Sequence, residues 1–374
     1  MESGSRFAVV LLNFGGPRSR DEVRRFLFEI LRDPNTIQLP APGWVQDRLA
    51  AAIARRRAVE VGRQYGEIGG RSPIVAATER IAAALAEALQ PRAAAAGSES
   101  VPDPLPVYIA HRYLPGDTAR AAARMVADGI TDLLALPLYP HYSHATSGSS
   151  FQQLAAELSQ AGYAGRCRAL RSYPDSGGYL AALAERLEEC LADARLQPDG
   201  TVILCSAHGL PATYIERGDP YKLELYRSLE ALKRRFAGWR FELSFQSRVG
   251  PAEWLQPYTD RILSTFAAQG VRQLVFLPLS FVNDHIETLY EIGHTYFELA
   301  RRSGLTPHRV RAIEDHPAFI GFLAQAVRDW QAGLAGVPLH EVQPPDQSFA
   351  RSGFWLWSLW LSALVLALGL ALAA

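Results

Sequence analysis

Two short segments of this chain hold side chains able to move protons or to meet a cation. Ser206 to Pro211 reads S-A-H-G-L-P, and Asp284 to Glu291 reads D-H-I-E-T-L-Y-E. The first offers His208, an imidazole, a group that ordinarily titrates near neutrality and so accepts and releases protons at working pH. The second offers His285 and an acidic helix face, Glu287 with Glu291 at i, i+4. Like charges at that spacing destabilise an exposed helix by about 0.2–0.5 kcal/mol, so the stripe is easier to understand if it meets protons or metal.

Each segment follows a continuous apolar run, Thr201 to Cys205 (TVILC) and Gln273 to Leu279 (QLVFLPL). Such runs read as parallel strands covered on both faces. In open α/β sheets, ligand sites lie beyond the carboxyl ends of the strands, which places His208, His285 and Glu287 at one cleft. Blander readings stand beside this one. A histidine in a strand-to-helix turn is often a capping or packing residue, and Asp284 followed by Glu287 matches a capping box, Asp at N-cap and Glu at N3.

Further motifs accompany the two segments: L-L-N-F-G-G-P (Leu11 to Pro17), G-G-R-S-P-I (Gly69 to Ile74), R-Y (Arg112, Tyr113), L-Y-P-H-Y-S-H-A-T-S-G-S-S (Leu138 to Ser150), R-G-D-P-Y (Arg217 to Tyr221) and S-x-V-G-P-x-x-W-L-x-P (Ser247 to Pro257). In this order, from about Val9 to His316, the chain resembles the ferrochelatases, enzymes that insert ferrous iron into a porphyrin at the end of haem synthesis. That chemistry removes two pyrrole N–H protons, admits a cation and bends a planar macrocycle. It needs a base, an anionic route and a shaped apolar slot.

The resemblance implies roles for named residues. His208 is the catalytic base, and Glu287 is paired with it across the porphyrin; His208, Glu287 and Glu291 are the residues that meet the metal. The helix of Glu287 is expected to carry a wide π-type turn, a feature frequent at functional sites. Phe14, Phe281 and Trp254 match positions lining the macrocycle. Arg57, Ser72, Arg112 and Tyr139 are the propionate candidates, since Arg pairs well with carboxylates. Tyr113, Asp284 and His285 complete the substrate-binding set.

The chain departs from the family at several points. Thr295 stands where the acidic line usually continues, Gly293 replaces a common Asp, Glu60 occupies a position that is often basic, and the proline after Arg112-Tyr113 comes one residue early. His294 is a substitute relay or a solvent-facing residue. Relatives with an iron–sulfur cluster carry a Cys where this chain has His144 and three more near the C-terminus; no Cys follows Cys205 here. Four thiolates are normally needed, so no iron–sulfur cluster and no other cofactor is expected, and Fe2+ enters as a substrate. The Ser- and Thr-rich run Ser143 to Ser150 reads first as helix caps and backbone donors.

Strand-like runs recur at Phe7 to Phe14, Val107 to Ala110, Asp132 to Tyr139, Cys167 to Tyr173, Thr201 to Ala207, Arg240 to Phe245, Gln273 to Leu279 and Arg309 to Ile313. Amphipathic helices fit between them, for example Thr78 to Leu89, Gly177 to Leu191 and Tyr221 to Phe236. This alternation implies βαβ units and mostly parallel sheets. Gly129 to Leu138 (GITDLLALPL) and Gly270 to Leu279 (GVRQLVFLPL) form a faint internal repeat, each the third element after a glycine-bearing turn and an intervening strand. The expected fold is α/β with two Rossmann-like, chelatase-type domains, residues 1–171 and 172–336, and a cleft between them. Pro91 to Pro106 reads as a surface loop.

With 374 residues, 48% of them hydrophobic, there is material for two domains with cores of their own. Lys+Arg and Asp+Glu are 38 each, so no basic excess argues for nucleic acid. Cys167, Cys190 and Cys205 are widely spaced and form no C-x-x-C, which fits a reduced compartment without disulfides or structural zinc. No G-x-x-x-x-G-K-[ST] is present, and the early G-G-P lacks G-x-G-x-x-G spacing, so neither ATP nor NAD is indicated.

The C-terminus is different in kind. Gly353 to Ala374 carries no charge, and at ~1.5 Å per residue it is long enough for a hydrocarbon core of ~30 Å. Trp355, Trp357 and Trp360 gather at its near end with Arg351 just outside, as at a membrane interface. A C-terminal transmembrane helix over 353–374 is expected, joined by a proline-bearing linker, 337–352. The whole reads as a ferrochelatase making protohaem from protoporphyrin IX and Fe2+, anchored on the cytoplasmic face of a membrane. The alternatives are a coproporphyrin III ferrochelatase, against which Phe14 argues because such relatives tend to carry Tyr there, and a non-catalytic membrane-tethered haem or metal carrier, which would need no base.

Overall fold

A computed structural model describes residues 5–36, 43–90, 104–250 and 252–342. The expected transmembrane segment, most of the 337–352 linker and most of the Pro91 to Pro106 loop lie outside the described residues. Among the described residues no helix is long and apolar enough to cross a membrane.

The strands are β1 (Phe7–Asn13), β2 (Val107–His111), β3 (Asp132–Pro137), β4 (Arg166–Ala169), β5 (Thr201–His208), β6 (Arg240–Gln246), β7 (Gln273–Pro278), β8 (Thr306–Arg309) and β9 (Val337–Pro338). They form two sheets, ordered β2-β1-β3-β4-β9 and β6-β5-β7-β8. All pairings are parallel except β4 with β9. The first four strands of each half occupy the same places in the same order. The two L-[LV]-x-L-P-L segments are thus β3 and β7, equivalent third strands placed beside the central first one.

Alternation along the strands sorts side chains between layers. Val9 and Leu11 of β1, Leu134 and Leu136 of β3, Ile203 and Cys205 of β5, and Val275 and Leu277 of β7 share one core that joins the halves. Ala8, Val10, Leu133 and Ala135 face a second core behind the first sheet. Val202, Leu204, Leu274 and Phe276 face a third behind the second sheet. Both faces of each sheet are covered, which is why these strands read as unbroken apolar runs.

Two expectations need correction. The eighth strand is Thr306–Arg309, not Arg309 to Ile313. Val310, Ala312 and Ile313 are buried loop residues beyond the sheet, while the true strand is a polar edge, so burial outside the sheet mimicked a strand. The 337–352 linker does not begin at Val337. Val337 and Pro338 pair antiparallel with β4, Leu339 and Val342 are buried in the core of the first sheet, and Tyr142 Oη donates to Val342 O at 2.8 Å.

Buried carboxylates explain why two loop motifs travel together. Asp219, from R-G-D-P-Y, accepts from Ser143 Oγ at 2.9 Å and from the His144 amide at 2.8 Å. Glu224 accepts from the Tyr142 amide at 2.7 Å and Ser172 Oγ at 3.0 Å. Burial raises the Glu224 carboxyl above its usual range, offset in part by these donors. The second half therefore grips the loop after β3.

Candidate active site

His208 is the last residue of β5, in register with Gln246 of β6. Its amide donates to Ser280 Oγ at 3.0 Å, and its carbonyl accepts from Tyr221 Oη at 3.0 Å. Nδ1 lies 2.8 Å from Gly209 O, an acceptor, so the proton is assigned to Nδ1 and the lone pair to Nε2. The next residue must be glycine. A Cβ on Gly209 would lie 2.8 Å from Gln246 O and 3.1 Å from the Trp254 ring. Trp254 is held by its indole N–H on Val249 O at 3.0 Å and by a bridge to Pro211.

The segment after β7 brings the partners of His208. The Phe281 ring lies 6.4 Å from His208 and 4.7 Å from His285. Glu287 opens a ten-residue π-helix, Glu287–Tyr296, in agreement with the expected wide turn. No side chain caps it, so Asp284 and Glu287 form no capping box. Asp284 Oδ1 instead accepts from Thr288 Oγ1 and Arg309 Nη1, each at 2.7 Å, which ties it to β8.

His285 Nδ1 lies 3.0 Å from Asn283 O, which leaves Nε2 toward Glu287 Oε2 at 3.1 Å. That carboxylate oxygen is buried and outside hydrogen-bond geometry with every protein donor. The His285 imidazole and the Glu287 carboxylate thus face one another as a close polar pair at the start of the π-helix. Tyr65, buried, sits beside Ser72 and Glu287; burial and then the Glu287 charge push its phenol up, keeping it protonated.

Glu291, expected among the metal ligands, is engaged elsewhere. Oε1 accepts from the Ser247 amide and Tyr296 Oη, each at 2.8 Å; Oε2 accepts from Gln246 Nε2 at 2.9 Å and from Ser247 Oγ. A carboxylate offers about four acceptor positions, and here all are filled. Among the described residues no group of three or more His, Cys, Asp and Glu side chains could hold a metal ion. His208, Glu287 and Glu291 thus do not form a preassembled metal cage.

The remaining predicted residues divide in two. Phe14, half-buried, follows β1 and packs on Tyr113 with centroids 4.5 Å apart. Ser72 is buried against Gly16, where a Cβ would come within 2.5 Å of its side chain. Arg112 and Tyr113 are committed to a buried carboxylate: Arg112 Nη2 and Tyr113 Oη donate to Asp33 Oδ2 at 2.8 and 2.7 Å. Tyr139 Oη is buried near Ser150 and Arg112. Arg57 is exposed on the helix Gly43–Glu67, where Glu60 bridges to Arg63 at 3.2 Å. His294 is half-exposed, stacked on Tyr290 and 3.5 Å from Glu67.

Sequence reasoning missed the residues that join these pieces. Asn13 and Asn283 bond across the halves, Gln246 ties β6 to the π-helix, and Asp33 gathers Arg112, Tyr113 and Ser149. Asn13 sits inside L-L-N-F-G-G-P and Gln246 directly precedes the S-x-V-G-P motif, so both lay within reach. Asp33, in the short stretch R-D-P, carries no motif that signals it.

The ferrochelatase family model matches residues 6–330. A ferrochelatase from Geobacter metallireducens is 42% identical over 329 residues, covering 87% of this chain and 98% of that protein. One from Synechococcus sp. is 42% identical over 330 residues, covering 87% and 93%. In fold alone, the chain is similar to a solved structure of SirB from Bacillus subtilis with Fe3+, at TM-score 0.51 and 10% identity, covering 87% of this chain and 95% of that one. With the family model spanning most of the sequence and relatives above two-fifths identity along nearly their full length, this chain belongs to the ferrochelatase family.

Proposed function

We propose that this protein inserts Fe2+ into protoporphyrin IX to give protohaem, with His208 as base and Glu287 as its partner across the macrocycle. The observation that carries the residue assignment is the orientation of His208: its Nδ1 proton is spent on Gly209 O, and among the described residues Nε2 has no partner. Nε2 is therefore available to take a pyrrole proton. Phe281, between the His208 and His285 rings, supplies a flat apolar surface at the same place.

Charge and atoms balance without a nucleotide. The porphyrin loses two N–H protons as its four nitrogens bind Fe2+; His208 Nε2 accepts one, and the Glu287 and His285 pair passes the other to solvent. The macrocycle supplies the nitrogen ligands, so a three-residue protein cage is not required. Glu287 Oε2, buried and without a hydrogen-bond donor, is the anionic group available to an incoming cation.

Gly353 to Ala374 serves in this reading as a membrane anchor that holds the enzyme on the cytoplasmic face, close to an apolar substrate. The test is an anaerobic assay of purified protein with Fe2+ and either protoporphyrin IX or coproporphyrin III. Faster metallation of protoporphyrin IX is expected. Preference for coproporphyrin III would reassign the substrate, and binding of both without turnover would leave a carrier.

A further inference from the structure

We propose that Gln246 and Ser247 form a latch that acts through Glu291 to hold the π-helix, and with it Glu287, in place against His208; Glu291 is then a positioning residue and contacts neither iron nor porphyrin. The inference rests on the iron-insertion reading for its catalytic consequence and on geometry for the latch itself.

The Gln246 side chain is almost fully buried and has only one workable orientation. Ser206 Oγ donates to Oε1 at 2.6 Å, so Nε2 is the end that points to the π-helix. There it donates to Glu291 Oε2 at 2.9 Å and to the Glu287 carbonyl at 3.1 Å. Its own carbonyl accepts from the Gly209 amide at 2.8 Å, directly after His208. One residue thus touches the backbone of the base's turn, the backbone of Glu287 and the carboxylate one turn further on.

Ser247 adds the second hold. Its amide and hydroxyl both donate to Glu291, and it adopts φ +65°, a left-handed conformation costly for a residue with a Cβ. That backbone turn aims the amide at the carboxylate. A π-helix wastes backbone hydrogen-bond geometry compared with an α-helix, so it persists where outside contacts over-determine it. Four donors on a single carboxylate are such contacts. This arrangement also accounts for a like-charge i, i+4 pair: Glu287 faces His285, while the charge of Glu291 is spread over its donors.

The test is a double-mutant cycle of Gln246→Met and Glu291→Gln in the full chain, read in iron insertion and in thermal unfolding. Each single variant is expected to lose about tenfold in kcat with porphyrin KM little changed, and the double variant to lose about tenfold as well, because either change opens the same latch. A double variant near a hundredfold down would mean independent roles and overturn the latch; so would Gln246→Met at wild-type rate beside an impaired Glu291→Gln. A wild-type protein that binds porphyrin without metallating it would sink the iron-insertion reading alone. The latch would then be judged by the unfolding arm, where non-additive losses support it and additive ones overturn it.

Discussion

Asn13 and Asn283 are 270 residues apart in sequence, yet Asn13 Nδ2 donates to Asn283 Oδ1 at 2.8 Å with both side chains almost wholly buried. Asn13 ends β1 and Asn283 follows β7, so this bond joins the two sheets where the predicted ligand residues emerge. Asn13 also donates to Thr78 Oγ1 at 2.9 Å and accepts from the Phe14 amide at 2.8 Å. It therefore fixes Phe14 on one side and the loop of His285 on the other.

Asn13→Leu should remove that junction and leave buried polar partners on both sides. Losing a buried hydrogen-bond partner costs about 1–3 kcal/mol, and an equal-sized apolar residue cannot restore it. Thermal unfolding should show a clear drop, accompanied by weaker iron insertion. A variant with unchanged midpoint and rate would mean the two halves are held without it.

His208→Ala should abolish metallation while porphyrin binding survives, since loss of a general base removes about 10²–10⁴ in rate without touching ground-state contacts. Porphyrin binding followed by fluorescence quenching and turnover followed by haem absorbance separate the two effects. Activity within threefold of wild type would remove His208 from the base role.

Glu287→Gln keeps shape and helix propensity but removes the carboxylate that faces His285. Severe loss of turnover with a nearly unchanged unfolding midpoint is expected. The structure leaves this side chain outside any cap, so a stability defect with intact turnover would contradict both the geometry and the proposed role.

How far the sequence reached can be judged from these residues. Continuous apolar strands and a repeated L-P-L motif made the paired parallel sheets legible, because two-sided burial leaves a period-free signature. His208 and Glu287 stood out because ionisable groups follow those strands. Gln246 and Asn13 did not, since an uncharged amide gains meaning only from partners brought near by folding. The setting of Arg112 was equally hidden: Asp33, distant in sequence, pairs with it in the fold. The edge strand β8 was misplaced because buried loop residues beyond it carry the apolar signal.

His141 should give the protein an acid-sensitive step. It is buried, accepts no charge partner, and burial lowers its pKa from the ordinary 6.5 to about 3. The imidazole is neutral in the fold, with Nε2 2.8 Å from Ser228 Oγ. Below about 6.5 the unfolded chain takes up a proton that the native state refuses, so stability present above that pH is lost as pH falls toward 3, by up to about 1.4 kcal/mol per pH unit. His141→Gln should flatten the dependence of the unfolding midpoint on pH across this window. Parallel curves for the two proteins would show that His141 does not set it.

Truncation before Gly353 tests the proposed anchor. The first sheet takes back the chain as far as Val342, whose carbonyl is held by Tyr142, so a cut at Gly353 leaves every described contact intact. The removed segment has no charge, and burying ~20 apolar residues in lipid is strongly favourable. Full-length protein should therefore fractionate with membranes, and the truncated form should be released while still inserting iron at close to the full-length rate in detergent. Release with aggregation and lost turnover would mean that the segment packs onto the enzyme. Full-length protein free of membranes would mean that 353–374 is no anchor, since nothing else among the described residues is long and apolar enough to replace it.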